Sequence, residues 1–441
     1  MAVVDDDFAF LVATARRLMG QLRVEVDPRA ANDGRGTALA CHIAETLEVI
    51  DTGIERERGR YDTATTDVAK ATLSRNLRLH ISMTWGIHEA MPWLESPHRR
   101  LDLGTMFFID EAALAMIGAP VEVVPTESGY YMYWTLSWPF EELWEEHLHE
   151  AMPRGTRPVV LAYPPHEAAS ALLHGNFTHE LGHSAVDQHG LLDAIIGPLL
   201  HSPSYLDDLK ARVGTATDST ASAKRVRIRE RLRNWIEELL CDQLALAYLG
   251  PSYMFSFTAM VLPVTWNEPQ DHHPNATMRV RLLLDSVDAY GWADLIEKDL
   301  PDIWAWFKHA AGISPPVSDP LTDFVRSTSE TVEVRIREEA HKHLGLGLFD
   351  AGAYRSVADH LGELLSSDIL PAQLDRKTPA DHRHILLAAW LHVLTKHGGK
   401  PDALAQALTE SDYQRFIAKS LEMSTTFKVW KEIAGGDSAQ A

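Results

Sequence analysis

Cysteine is nearly absent from this chain. Only Cys41 and Cys241 occur, far apart, so there is neither a disulfide framework nor a zinc site built on cysteines. Basic charge is also short. Lys and Arg number 41 against 62 Asp and Glu, a net charge of −21. A general nucleic-acid binder needs a basic footprint, so that class is excluded. The one basic run, "KRVRIRERLR" (Lys224–Arg233), spreads its arginines around a helix axis and reads as a solvated surface. Long apolar runs are missing as well: none approaches the roughly 20 residues that a bilayer helix needs. The N-terminal "MAVVDDDFAF" is acidic where a signal peptide would be basic. A soluble, cytoplasmic protein with no membrane partner is the expectation.

Apolar residues are plentiful, at 45% of 441 positions, enough to fill the cores of two or three domains. "FAFLVATARRLMGQL" and "TALACHIAETLEVI" carry them at helical spacing. The segment "VEVVPTESGYYMYWTLSW" is rich in Val, Tyr, Trp and Thr around a Glu-Ser-Gly turn, which predicts a hairpin. "EELWEEHLHEAM" returns to helix. "RPVVLAYPP" (Arg157–Pro165) is a short strand stopped by two prolines, with a helix expected from about Glu167 through His183. Residues 187–223 read as an irregular segment whose small, polar end, "GTATDSTASA", is a loop. A helix from about Arg225 to Tyr248 then stops at Gly250-Pro251. "GISPPVSDP" reads as a linker, and "HILLAAWLHVL" as the clearest core segment beyond it. The expected fold class is mainly α with a small β component (α+β). The domains would be an N-terminal helical region with a hairpin at 1–155, a core at 156–312 and a C-terminal helical domain at 321–441.

The stretch "THELGHSAVDQHG" (Thr178–Gly190) carries the chemistry. His179 and His183 are four apart, so on a helix their imidazoles project side by side. That is the bite a tetrahedral zinc ion needs. Glu180 lies about 100° around the helix from His179, where it can act on a water as general base without becoming a ligand. His189 is one candidate for the third ligand. H-E-x-x-H-x-x-V-x-x-H resembles the metzincin protease pattern, in which a Gly at the place of Val186 lets the chain turn back to the metal, and a β-branched residue is poorly suited to such a turn. The other candidate is Glu238, in "NWIEELLCDQLALAYLGP". Glu238 and Asp242 share one helix face, bordering the apolar stripe Leu232, Trp235, Ile236, Leu239 and Leu240, while Glu237 lies on the wetter side. An acid at a buried border needs a partner. Glu238 is therefore the expected third ligand, with Asp242 accepting the N–H of a ligating histidine.

H-E-x-x-H followed by E-x-x-x-D on a later helix resembles the gluzincin metallopeptidases. Further on, "HPNATMR" is similar to the H-P-x-x-x-x-R segment of the gluzincin group that includes the prenyl-protein and heat-shock endopeptidases. The likeness spans roughly residues 157–290. It implies a zincin-like core with an active-site helix, zinc on His179, His183 and Glu238, and Glu180 as base in peptide hydrolysis. His273 is then the first choice to stabilise the oxyanion, with Tyr253 a weaker option; Arg279 either holds His273 or the substrate, or forms a structural ion pair with Glu238 or Asp242. The remaining histidines, including His166, His174, His382, His384 and His392, read as structural. Three functions follow as expectations. The first is a zinc-dependent peptidase acting on a protein or peptide, with its helical regions recruiting a regulatory partner. The others are a helical regulatory protein with a structural or inactive zinc site, and a zinc hydrolase of a non-peptide bond.

Overall fold

The computed structural model describes residues 2–31, 37–94, 101–118, 121–128, 131–135, 159–213, 219–261, 273–312, 320–374 and 378–436. The helix expected in "EELWEEHLHEAM" and nearly all of the "GISPPVSDP" linker lie outside them. The chain is mainly helical with one small sheet, as expected. It forms two compact units, Met1–His98 with Ala119–Tyr163, and Arg99–Gly118 with Pro164–Ala441.

Among its described residues the first unit holds three long helices, α1 (Ala2–Ala30), α2 (Thr37–Thr63) and α3 (Asp67–Leu94). Phe8, Val12, Ala15, Met19, Leu22 and Val26 recur at alternating steps of three and four along α1, giving one apolar stripe. It packs against Leu39, Ile43, Leu47, Ile50 and Ile54 of α2 and Leu77 and Ile87 of α3, all buried. Each such side chain contributes roughly 1.5–3 kcal/mol over its exposed state. The sheet has three strands in the order β1-β3-β2, where β1 is Val123–Glu127, β2 Met132–Thr135 and β3 Val159–Tyr163. β3 is the strand expected in "RPVVLAYPP". The hairpin is a correction: β1 and β2 do not pair with each other. β3 lies between them, parallel to β1 and antiparallel to β2. Every residue of β3 is buried, as suits a strand paired on both edges, while Pro125, which has no N–H to offer, sits on an edge strand. Glu122, just before β1, accepts a hydrogen bond from the Leu39 N–H in the first turn of α2 at 3.0 Å.

The second unit is helical. Its helices are α4 (Leu103–Ile117), α5 (Asn176–His189), α6 (Leu191–Leu200), α7 (Pro203–Val213), α8 (Ser219–Leu249), α9 (Ser252–Val261), α10 (Ala276–Ala289) and α11 (Asp294–Glu297). They continue with α12 (Pro301–Gly312), α13 (Pro320–Glu330), α14 (Glu333–Leu344), α15 (Ala351–Ser366), α16 (His382–Lys396), α17 (Ala403–Ala407) and α18 (Ser411–Gly436). α8 is central and packs on α5, α10, α13 and α14. Its expected stripe, Leu232, Trp235, Ile236, Leu239 and Leu240, is fully buried, and so are Ile385–Leu387, Ala389 and Trp390 in "HILLAAWLHVL".

Two boundaries differ from expectation. The described part of 187–223 is not irregular: α6 and α7 lie within 191–213, and Ser219–Ala223 form the start of α8, while residues 214–218 of the expected loop lie outside the described residues. Leu191, Leu192, Ile195, Ile196 and Leu199 give α6 its buried face. Pro203 opens α7, a position where the missing N–H costs nothing. The helix expected from Glu167 begins instead at Asn176 and runs to His189. Ahead of it, Pro165–Glu167 and Leu173–Gly175 are single 3₁₀ turns.

Candidate metal centre

α5 and α8 cross where the candidate ligands sit, and Gly182 sets how close they come. A Cβ at Gly182 would lie 3.1 Å from both Cα and Cβ of Cys241 on α8. The next residue along α5 is His183, and Glu238 is about one turn before Cys241 on α8. The bare glycine thus lets α5 bring its two histidines up to Glu238.

The donor atoms of His179, His183 and Glu238 all lie within 4.8 Å of one another. His179 Nε2 is 3.4 Å from Glu238 Oε2, and His183 Nε2 is 3.4 Å from Glu238 Oε1. Tetrahedral bonds of about 2.0–2.1 Å hold their ligands roughly 3.3–3.4 Å apart, so the spacing suits such an ion. The two rings stand nearly perpendicular, with centroids 5.0 Å apart. Each imidazole turns its other nitrogen to a carboxylate. His179 Nδ1 is 3.0 Å from Asp242 Oδ1, and His183 Nδ1–H donates to Glu237 Oε1 at 2.9 Å. Both Nε2 lone pairs are thereby left facing Glu238. Glu238 Oε2 is buried, makes no hydrogen bond among the described residues, and lies 3.3 Å from Arg279 Nη1. A buried carboxylate oxygen without a hydrogen bond, flanked by two imidazole nitrogens, can take a metal ion. Two imidazoles and a carboxylate form a donor set that zinc accepts.

Asp242 is fully buried and shared by three elements. Arg279 on α10 grips it with two hydrogen bonds of 2.7 Å, and the Tyr253 hydroxyl on α9 donates to its Oδ1 at 2.6 Å. Such bidentate contacts are the strong form of an Arg–carboxylate pair. Phe257, one turn beyond Tyr253, lies under the guanidinium, with Cζ 4.6 Å from its ring centroid. The H-P-x-x-x-x-R segment now has a local cause. Asn275 caps α10 by accepting from the Met278 N–H at 2.9 Å, and Arg279 falls in the first turn of the helix so started.

The charges follow from these contacts. Burial alone would raise the Asp242 carboxyl, but the Arg279 guanidinium reverses this and holds it at about 2. Burial also opposes ionisation of Glu238, yet the His179 and His183 imidazoles beside it, with the Arg279 guanidinium, keep it well below the ordinary carboxylate range. Burial would lower His179, while Asp242 and Glu238 raise it above its usual value. Glu180 goes the other way. Burial pushes its carboxyl up, with His179 and His183 only partly opposing.

The structure brings His179, His183 and Glu238 together, with Asp242 behind His179 and Glu180 on the same helix as the two histidines. Tyr253 spends its hydroxyl on Asp242, and of the two roles expected for Arg279 the structure shows the ion pair, made with Asp242. His273 stands at the margin, half exposed, with Nε2 3.7 Å from Glu238 Oε1. His189 is elsewhere: α5 continues unbroken through Val186, and His189 Nε2–H donates to the Ile117 carbonyl at 2.8 Å, beside the His343 ring. Two participants were missed, Glu237 and Phe257. The i, i+4 spacing of Tyr253 and Phe257 was the available signal for the second. For Glu237 there was none beyond its place next to Glu238.

Comparison with family models, curated proteins and solved structures returns no match for this chain. Among the described residues, no helix is long and apolar enough to cross a membrane.

Proposed function

We propose that the chain is a zinc-dependent peptidase of zincin-like build. The observation that carries this is the pair of histidines on α5, both Nε2 atoms turned to Glu238 and both Nδ1 atoms held by carboxylates. His179, His183 and Glu238 would hold the ion, which when bound supplies a Lewis acid and lowers the pKa of water toward about 7. Among the described residues three ligands gather, and a structural zinc site would be closed by a fourth. That favours the catalytic reading over the regulatory one.

The chain's own residues would then act as follows. Glu180 takes the proton of the attacking water and passes it to the leaving amine. Its burial makes it the more basic carboxylate of the site, while Glu238 and Asp242 stay ionised. His273, whose pKa burial holds below the usual value, is neutral near pH 7 and donates a hydrogen bond to the developing oxyanion. Arg279 and Tyr253 fix Asp242, which orients His179. The substrate is a protein or peptide, and the helical regions recruit a protein partner. The cytoplasmic setting rests on the two cysteines, both unpaired.

Zinc content and peptidase activity of the purified protein test this. Expected are about one zinc per chain and cleavage of a protein substrate. Glu180→Gln should keep the zinc and lose hydrolysis by several orders of magnitude, since an amide cannot accept the proton. A zinc-free wild type, or Glu180→Gln with unchanged turnover, would overturn the reading.

A further inference from the structure

The two histidines are held differently. Asp242, behind His179, is fully buried and bonded by Arg279 and Tyr253. Glu237, behind His183, has a side chain 31% exposed and, among the described residues, makes no other hydrogen bond or ion pair. The peptidase motif has no place for it. Glu237 also sits on the same helix as the ligand Glu238, one residue before it. Consecutive helix residues point about 100° apart. From α8, Glu238 therefore meets the Nε2 side of His183 while Glu237 meets the Nδ1 side.

We propose that Glu237 is a positioning residue for the metal centre, fixing the His183 ring and its tautomer so that Nε2 is presented beside Glu238. This rests on the metal-site reading above. A single imidazole with free rotation about its Cβ–Cγ bond would present either nitrogen. The 2.9 Å bond from Nδ1–H to the Glu237 carboxylate selects one. It also adds negative charge behind the ring, which raises the basicity of the ligating nitrogen. Because Glu237 is partly exposed, its work can be removed without opening the core.

The test uses the full chain with Zn²⁺ and Co²⁺ as probes. Zinc affinity is measured by competition with a coloured chelator for wild type, Glu237→Ala, Glu237→Gln and Glu230→Ala. The last removes the same charge from an exposed position on the same helix. Glu237→Ala should bind zinc roughly 10–100-fold more weakly. Glu237→Gln should fall between it and wild type, because its carbonyl still accepts from Nδ1–H. Glu230→Ala should match wild type. The visible absorption of bound Co²⁺ should shift in Glu237→Ala and not in Glu230→Ala, and melting of the metal-free proteins should coincide. Wild-type affinity in Glu237→Ala, or an equal loss in Glu230→Ala, overturns the proposal while leaving the metal site standing. A wild type that binds no zinc overturns both. Zinc weakened in Glu237→Ala with no peptide cleaved by any form sinks the peptidase reading and supports this one.

Discussion

Replacing Gly182 with alanine tests whether the spacing of two helices sets the metal site. The added methyl would meet Cys241 Cα and Cβ at 3.1 Å, where ordinary contacts are 3.4–4 Å, so α5 and α8 must part by a few tenths of an ångström. Cys241 cannot yield by changing rotamer, because one of the two contacts is to its backbone. Metal–ligand bonds tolerate only about 0.2 Å, and both sets of ligands ride on the backbones being forced apart. Zinc affinity should therefore fall about 10–100-fold, or roughly 1.4–2.7 kcal/mol. Folding should respond less. Alanine gains about 1 kcal/mol of helix propensity over glycine, against an overpacking cost of about 1–3 kcal/mol, so the metal-free protein should change by no more than about 2 kcal/mol. The assay is chelator competition for affinity, with urea unfolding in excess chelator for stability. Serine and valine at the same position should extend the series in order of size. Undiminished affinity across the series would refute the idea that this contact sets the site.

Three further outcomes follow. After brief dialysis against a mild chelator, Glu238→Ala should have lost its zinc and His189→Ala kept it, while Asp242→Asn should be weakened roughly 10–100-fold; retention in Glu238→Ala with loss in His189→Ala would reverse the choice of ligand. His174 is buried, accepts from Thr105 through Nδ1 and bonds the Glu167 carbonyl through Nε2, and burial lowers its pKa from 6.5 to about 4. The unfolded chain takes up that proton below about pH 6.5 and the folded chain only near 4, so stability is full above this window and about 3 kcal/mol is lost across it on acidification. Urea unfolding of wild type and His174→Gln in chelator should give curves whose separation narrows from pH 7 to pH 4; parallel curves would contradict this. Gly104→Ala should destabilise by several kcal/mol in thermal unfolding, because its Cβ would fall 1.9 Å from the Ala418 carbonyl oxygen on α18; a melting temperature equal to wild type would show that the two helices can part freely.

What was legible in the sequence was whatever helical or strand periodicity encodes. His179 and His183 share a face because they are four apart, and so do Glu238 and Asp242. The apolar stripe of α8 and the run of β3 declared themselves in the same way. Pairing between distant segments did not. Nothing local says that β3 inserts between β1 and β2, because a strand carries no mark of its neighbours. α6 and α7 were obscured by Gly197, Pro198 and Pro203, whose turn signals outweighed the short apolar spacing around them. Arg279 was open between a substrate role and an ion pair with Glu238 or Asp242, Tyr253 was singled out as a reactive group, and both end on Asp242. That depends on how α9 and α10 are set against α8, a tertiary relation with no local trace. Glu237 escaped for the same reason, since only the crossing of α5 over α8 brings His183 within its reach.

The chain passes between its two units after residues 98, 118 and 163, so α4 is a short excursion into the second unit from within the first. The interruption has a practical edge. Residues 164–441 made alone would lack α4, leaving His189 and His343 without the Ile117 and Met116 carbonyls they bond and the α18 face without Gly104. A ribosome that has finished the first 118 residues has already made a part of the second unit whose partners are still dozens to hundreds of residues from synthesis. Until they emerge, the mostly apolar surface of α4 must wait uncovered. Removing the first unit by truncation at 164 is therefore not a neutral trim, and a peptide of residues 101–118 added in trans is the piece that would restore what the cut takes away.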